Sequence, residues 1–318
     1  MILIITNRAD HTADWLILEL ERRSAPFFRF NSEDFPSATS LDWTPDEARL
    51  AVSSGRQLEL GDVRSVWYRR PLPPDPSAWG TPERARWAIS EARETLDGLW
   101  RTLDAFWVNH PDRNRIAGSK LHQLRLARRI GFRVPATLVS NNAAEVRDFA
   151  ARHAAMGIVC KPLGEGRLDL SEGERLFFTS RFDLTQEDDL SDLGPEPYLF
   201  QELVPKRFDL RATVIGDDVF AVRIESQQSA VSEVDWRRAG GAQPHAVEEL
   251  PSEVARMCRS ITDSYGLEFA AIDLVRAHDG EHVFLELNPN GQWAWLEQLT
   301  GQPLRSCLAD LLERAGRC

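Results

Sequence analysis

Apolar and polar positions alternate with two different periods along this chain, and the switches between periods mark its elements. Residues 2–6 are an apolar run and read as a buried strand. Residues 12–23 carry Trp15, Leu16, Leu18 and Leu20 on a helix, and a strand follows at 26–30. A polar loop from Asn31 to Pro36 leads to a weaker strand–hairpin region at 41–60 and a strand at 63–68 ending in Arg69-Arg70-Pro71. A proline-rich surface loop fills 71–82. Thr81-Pro82-Glu83 gives an N-cap, a proline at the first helical position and an acidic first turn. The helix it opens, 82–105, presents Trp87, Leu96, Leu99, Trp100, Leu103 and Phe106 as its packed stripe.

Asn109-His110-Pro111 marks a boundary, after which a basic helix runs from Ser119 to Ile130 and is stopped by Gly131. A strand at 134–139, a helix at 143–154 capped by Asn141-Asn142, and a buried strand at 157–161 follow. Residues 164–175, with three glycines among charges, read as a mobile loop, and 183–197 as an acidic, solvated connector. A third segment starts with a strand at 198–204, and strands 210–215 and 219–225 flank Gly216-Asp217-Asp218. A helix at 251–265, a hairpin, and a helix at 302–315 complete the chain. The expected fold class is α/β, with an N-terminal α/β unit at 1–110 and two α+β units at 111–197 and 198–318.

The hairpin carries the most informative chemistry. Phe269 to Ala277 and Val283 to Asn288 are alternating apolar segments around Asp279-Gly280, the signature of a two-residue turn. Counting back from that turn puts Asp273 opposite Glu286, with Asn288 on the same face and Ile272, Leu274, Leu285 and Leu287 on the other. Opposed like charges are destabilising. A cation between them removes the penalty, and Asp, Glu and Asn are hard oxygen ligands suited to Mg²⁺ shared with nucleotide phosphates. A solvated sheet face would also accept two carboxylates, but Asn288 followed by Pro289-Asn290-Gly291 favours the metal.

At 318 residues, with 42% hydrophobic and 27% charged residues, the composition is that of a soluble globular protein. A net charge of −11 argues against a nucleic-acid or anionic-membrane surface. Cys160, Cys258, Cys307 and Cys318 are too scattered for a disulfide framework or a thiolate metal site. The apolar start is only a strand long and nothing later approaches a membrane span, so a cytoplasmic location is expected. Of the ten tryptophans, Trp87, Trp100 and Trp107 sit at core spacing.

Lys161 interrupts an apolar strand, which is rare without an anionic partner. Lys120 begins a helix, where an ammonium opposes the positive N-terminal dipole. In order along the chain, Lys120, Lys161-Pro162, a glycine-rich loop, Gln201-Glu202-Leu203-Val204, Asp209-Leu210-Arg211, Asp273 and Glu286-Leu287-Asn288 resemble the ATP-grasp superfamily over about residues 110–300. The resemblance implies central and C-terminal subdomains clamping ATP, with an N-terminal pre-ATP-grasp unit alongside. It also implies Lys120 and Lys161 on the phosphates and adenine at the Gln201, Glu202, Leu203, Val204 hinge. Asp209 would meet the ribose, with Arg211 and Arg223 as catalytic cations and Mg²⁺ on Asp273, Glu286 and Asn288. No Walker-type glycine loop competes with this reading.

Finer texture resembles the maturases of graspetides, the microviridin-type ribosomal peptides: Phe30-Asn31-Ser32-Glu33-Asp34-Phe35-Pro36, Val66-Trp67-Tyr68-Arg69-Arg70-Pro71, Val108-Asn109-His110-Pro111, Gly131-Phe-Arg-Val-Pro135, and Asn288-Pro-Asn-Gly-Gln292-Trp293. That resemblance implies phosphorylation of an Asp or Glu side chain in a precursor made of a leader and an acidic core. Attack by a Ser, Thr or Lys side chain then closes an ω-ester or ω-amide ring. The charged 164–175 loop departs from a plainer glycine-rich lid. An acidic enzyme needs local positive charge to receive an acidic peptide, and Arg69, Arg70, Arg223, Arg237 and Arg238 are the candidates. Two other functions stay open, a ligase of free amino acids or small acids and a non-catalytic nucleotide- or peptide-binding module, as does a homodimer.

Overall fold

Burial of all five residues of β1 (Ile2–Thr6) requires cover on both faces, and the chain provides it with a parallel sheet. Asp10 caps α1 (His11–Arg22) by accepting from the Thr12 and Ala13 N–H groups, and the chain returns through β2 (Phe27–Asn31). A small antiparallel sheet follows, made of β3 (Thr39–Trp43), β4 (Ala48–Val52) and β5 (Gln57–Glu59), where one hairpin region is expected. After β6 (Ser65–Tyr68) come α2 (Pro82–Thr102) and β7 (Phe106–Val108), giving a parallel sheet of order β2-β1-β6-β7. The computed structural model describes residues 1–164, 166–170, 173–184, 190, 194–241 and 243–315.

The rest of the chain is α3 (Pro111–Ala117), α4 (Lys120–Ile130), β8 (Thr137–Ser140), α5 (Ala143–Arg152), β9 (Ile158–Lys161), β10 (Arg167–Leu170), β11 (Gly173–Leu176), β12 (Ser180–Phe182), β13 (Tyr198–Glu202), β14 (Lys206–Ile215), β15 (Asp218–Ile224), β16 (His245–Val247), α6 (Ser252–Ser264), β17 (Phe269–Ala277), β18 (His282–Asn288), α7 (Ala294–Thr300) and α8 (Leu304–Ala315). They build an antiparallel sheet β12-β9-β13-β8 and a larger antiparallel sheet β16-β15-β14-β17-β18. The expected break at 197/198 fails, because β13 pairs with β8 and β9 and so completes the middle sheet. The helices α4 and α6 pack on the larger sheet instead, through Ala127, Val254, Met257 and Ile261. Within the segment expected to be a mobile loop, β10 and β11 pair antiparallel, Arg167 with Leu176 to Leu170 with Gly173. Glu165, Glu172, Glu187, Asp188, Asp189 and Asp192 lie outside the described residues.

Side-chain parity divides the larger sheet. Leu210, Ala212, Ile272, Leu274, Phe284 and Leu287 face the helices α4 and α6. On the opposite face, Ile215, Val222, Phe269 and Ala271 pack against Ile4, Trp67 and Val108 of the parallel sheet and against α8, with fully buried Trp293 beside Trp67. The N-terminal unit thus covers one end of that face and leaves the other end open to the middle sheet. Among the described residues, no helix is long and apolar enough to cross a membrane.

The hairpin closes differently from the expected two-residue turn. Gly280, with φ +94, donates to the Ala277 carbonyl, and Ala277 donates to the Glu281 carbonyl, so three residues form the loop. Leu274 consequently faces Phe284, one position out of step with the simple count. A bulge at Leu285 restores the step, and Asp273 faces Glu286 as expected. The bulge also moves Leu285 off the helix-facing side, where alternation had placed it, and packs it with Val204, Val275 and Val283.

The stripe expected on α2 is only partly correct. Leu96, Leu99 and Trp100 are buried, with Trp100 edge-on to Phe30 at 5.6 Å, but Trp87 is 66% exposed. Trp100→Ala is expected to cost about 3–5 kcal/mol in denaturant melts, and Trp87→Ala within about 0.5 kcal/mol.

Candidate nucleotide and metal site

Three charged side chains lie in register across the open face. Arg211 of β14 is opposite Asp273 of β17, which is opposite Glu286 of β18. The Arg211 guanidinium donates from Nη1 to Asp273 Oδ1 at 2.8 Å. Glu286 is approached by Lys120 Nζ at 3.6 Å and Arg237 Nη1 at 3.8 Å. Burial pushes the Asp273 carboxyl up, Arg211 opposes this, and Glu286 adds to it. For Glu286, burial would also raise the pKa, but Lys120, Arg237, Lys161 and Arg211 together outweigh it and hold the carboxyl below its ordinary value. The protein's own cations thus outweigh the penalty at Glu286 but not at Asp273, whose carboxyl stays above its ordinary value.

Lys161 ends β9, half-buried, with burial lowering its pKa to about 8 while Glu286 draws it back up. Lys120 and Lys206 contribute to that lowering, and Lys161 and Lys206 both line a cleft. Lys120 donates to the Pro162 carbonyl at 2.9 Å, which ties the two candidate phosphate lysines together through the residue after Lys161. Beyond the lysines, the cleft runs between the middle and larger sheets. Val159 and all four residues Gln201, Glu202, Leu203 and Val204 line one side, and Val275 and Leu285 line the other. A largely apolar cleft that also carries Lys161 and Lys206 suits a purine nucleotide.

The remaining candidates divide by position. Asp209 is buried and receives Lys206 Nζ at 3.0 Å on Oδ1 and 2.7 Å on Oδ2, so the member of this pair that lines the cleft is Lys206. Arg223 pairs in register with Leu210, which puts it on the helix-facing side of the sheet, away from Asp273 and Glu286. There it meets Glu225 at 2.8 Å and lies over the Phe208 ring. The expectation of a catalytic Arg223 is corrected by that parity. Arg69 is also not a surface cation: it is fully buried and bonded to the carbonyls of Asn290 and Gly291, while exposed Arg70 reaches Asn290 O at 3.3 Å.

Arg237 and Arg238 sit on a single 3₁₀ turn, Trp236–Ala239, but do different things. Arg237 makes a fork with Asp235 at 2.9 and 2.7 Å and approaches Glu286. Arg238 donates to Thr179 O at 3.0 Å and to Ser180 Oγ at 2.7 Å, and Asp235 accepts from Thr179 N. This turn therefore bridges the larger sheet to the β12 edge of the middle one.

The donor set fits a hard divalent cation. The Lys120 and Arg237 contacts to Glu286 are longer than hydrogen bonds and leave its oxygen lone pairs open. Asn288 shares the face two residues on, and its Oδ1 accepts from Asn290 N at 2.9 Å with a second lone pair remaining. Among the described residues no three His, Cys, Asp or Glu side chains converge on one point, so a third donor beside Asp273 and Glu286 would be an uncharged oxygen such as Asn288 Oδ1. Lys206, Asp235 and Leu285 were missed by the sequence reading. Only Lys206 carries a local signal, a lysine three residues before an aspartate at the start of a strand.

A family model described as the MvdD pre-ATP grasp domain matches residues 1–115. Solved structures match over nearly the whole chain. A RiPP-associated ATP-grasp ligase from Chryseobacterium gregarium, in complex with ADP and a leader and core peptide, is 30% identical, with TM-score 0.89 over 98% of this chain and 96% of that one. Macrocyclase MdnC from Microcystis aeruginosa MRC, bound with precursor peptide MdnA, is 29% identical, with TM-score 0.87 over 98% of this chain and 99% of that one. D-cycloserine synthetase DcsG, at 17% identity and TM-score 0.59 over 99% of each chain, shares the fold alone. No curated protein matches.

Gly291 is where this face has least room. A Cβ there would lie 2.5 Å from Arg211 Nη2 and collide with the Ala271 side chain. Gly291→Ala is expected to lower stability by about 1–3 kcal/mol through overpacking. Gly98→Ala, in open space on α2, should instead raise it by roughly 0.5–1 kcal/mol, with denaturant melts of both variants as the measurement.

Proposed function

Because the chain belongs to the RiPP-associated ATP-grasp ligases, we propose that it cyclises a ribosomally made precursor peptide, phosphorylating Asp or Glu side chains of the core and closing ω-ester or ω-amide rings with Ser, Thr or Lys. The observation that carries this reading is end-to-end likeness to two proteins whose structures hold precursor or leader and core peptides. The units at 1–110, 111 to about 203, and the remainder then serve as pre-ATP-grasp, central and C-terminal parts.

In this reading ATP is a substrate whose adenine occupies the slot at Gln201, Glu202, Leu203 and Val204. Its phosphates face Lys120, Lys161 and Lys206, with Asp209 holding Lys206 in place rather than meeting the ribose. Asp273, Glu286 and Asn288 would hold Mg²⁺, which when bound would supply charge neutralisation on the phosphates. A carboxylate oxygen of the peptide forms a bond to the γ-phosphorus as the bond to the β-phosphate oxygen breaks, releasing ADP. The hydroxyl or amine of a second side chain then attacks the acyl carbon; inorganic phosphate leaves and the nucleophile gives up its proton. Arg211, fixed by Asp273, and Arg237, fixed by Asp235, supply preorganised positive charge near the transferring group, where such charge contributes most.

Incubation with ATP and the precursor peptide encoded beside this gene is expected to lower peptide mass by about 18 Da per ring, with one ADP formed per ring. Tandem mass spectrometry should show no backbone cleavage within each ring. Condensation of free amino acids without dehydration of that peptide would replace this reading with a small-acid ligase, and no ATP consumption with any substrate would leave a binding module. Glu286→Gln should lower turnover at least about 100-fold, roughly 2.7 kcal/mol, with the native circular dichroism spectrum retained. Near-normal turnover at saturating Mg²⁺ would remove Glu286 from the ligand set.

A further inference from the structure

Residues 287–291 leave β18 carrying Asn288, and three buried polar side chains from distant parts of the chain hold their backbone. Gln123 of α4 accepts from Leu287 N at 2.9 Å and donates to Leu287 O at 2.7 Å. Asn109, just after β7, donates to Pro289 O at 3.0 Å and Phe269 O at 2.9 Å, and accepts from Glu268 N and Phe269 N at 2.8 and 3.0 Å. Arg69, just after β6, donates from Nη1 to Asn290 O and, at 3.2 Å, to Gly291 O. Two of these three side chains belong to the parallel sheet of the N-terminal unit.

Arg69 is the least expected of them. It is 1% exposed, and its nearest carboxylate, Asp10, stands 3.4 Å from Nε. Burial lowers its pKa to about 10, with Arg70 and Arg211 adding to the effect against Asp10. Burying a guanidinium costs several kcal/mol, so an apolar side chain would fill this volume with less penalty. What a guanidinium adds is a rigid donor able to hold two successive carbonyls. Those carbonyls belong to the turn whose Asn290 N–H fixes Asn288 Oδ1 and whose Gly291 abuts Arg211. A shift of the turn would move a candidate ligand and a candidate catalytic cation together.

We propose that Arg69 and Asn109 are positioning residues for the divalent-cation site: by gripping the backbone at 289–291 they keep Asn288 on the face of Asp273 and Glu286, which makes the N-terminal unit part of the metal site. The inference rests on the reading of those three residues as metal ligands. Partners that orient ligands from outside typically change metal affinity 10–100-fold when removed.

The test uses the full chain with ADP and Mn²⁺, counting free Mn²⁺ by electron paramagnetic resonance, and ADP titration without divalent metal as the second readout. Arg69→Met should weaken Mn²⁺ binding at least about tenfold and leave metal-free ADP affinity within about twofold. Arg69→Lys keeps the charge but loses the fork, and should recover little of the Mn²⁺ affinity; it carries the test if Arg69→Met does not fold. Wild-type Mn²⁺ affinity in a folded Arg69→Lys or Arg69→Met would overturn the proposal, as would equal losses of Mn²⁺ and metal-free ADP affinity. Failure of the wild-type protein itself to bind Mn²⁺ would overturn the ligand reading first, and the positioning role with it.

Discussion

Two carboxylates held side by side on adjacent strands, Asp273 against Glu286, set the terms for the rest of this molecule. Neither is held charged without opposing cations, and four separate parts of the chain bring them: Arg211 from β14, Lys120 from α4, Arg237 from the bridging 3₁₀ turn and Lys161 from the middle sheet. They are enough to hold the Glu286 carboxyl below its ordinary value, while that of Asp273 stays above. Each cation arrives on an element with its own reason to be where it is. The α4 helix packs its apolar face on the larger sheet, and the middle sheet closes against that sheet through an apolar cleft. The site is thus an electrostatic meeting point of elements whose positions are set by hydrophobic packing, so the charges cost little further ordering when phosphates arrive.

Parity on the larger sheet does the sorting. One face is apolar and takes helices; the other carries the charged row at one end and receives the N-terminal unit at the other. Arg223 falls on the wrong side of this division despite lying one strand from Arg211. The bulge at Leu285 adds an apolar contact to the charged face beside Glu286. It supplies, from one inserted residue, both the apolar wall of the slot and the register of the carboxylate next to it.

Much of this was legible in the sequence because it depends on local periodicity. The strands β1, β2 and β6 and the helices α1, α2, α4 and α6 follow from alternation and caps, while β7 does not, since Phe106 reads as the end of the α2 stripe. The order of motifs is legible only as a resemblance to ATP-grasp proteins. Opposition of Asp273 and Glu286 was also legible, but for an incomplete reason: a three-residue loop and a bulge shift the register by one in opposite senses and cancel. Arg223 could have been excluded by arithmetic, since a two-residue turn at Gly216-Asp217 pairs Arg211 with Val222 and turns residue 223 over. Trp87 was misplaced because helical spacing shows which residues share a face, not how far along the helix the core extends. Asp235, Asn109 and the burial of Arg69 were not legible, because each depends on contacts across more than 50 residues of chain.

Diffraction from crystals grown with ADP and Mn²⁺, collected at the manganese edge, tests the central claim most directly. The account predicts anomalous density within roughly 2.0–2.6 Å of oxygens from Asp273, Glu286 and Asn288, with Lys120 and Arg237 turned from Glu286 toward phosphate. Manganese bound only elsewhere, with Lys120 and Arg237 still closed on Glu286, would contradict it.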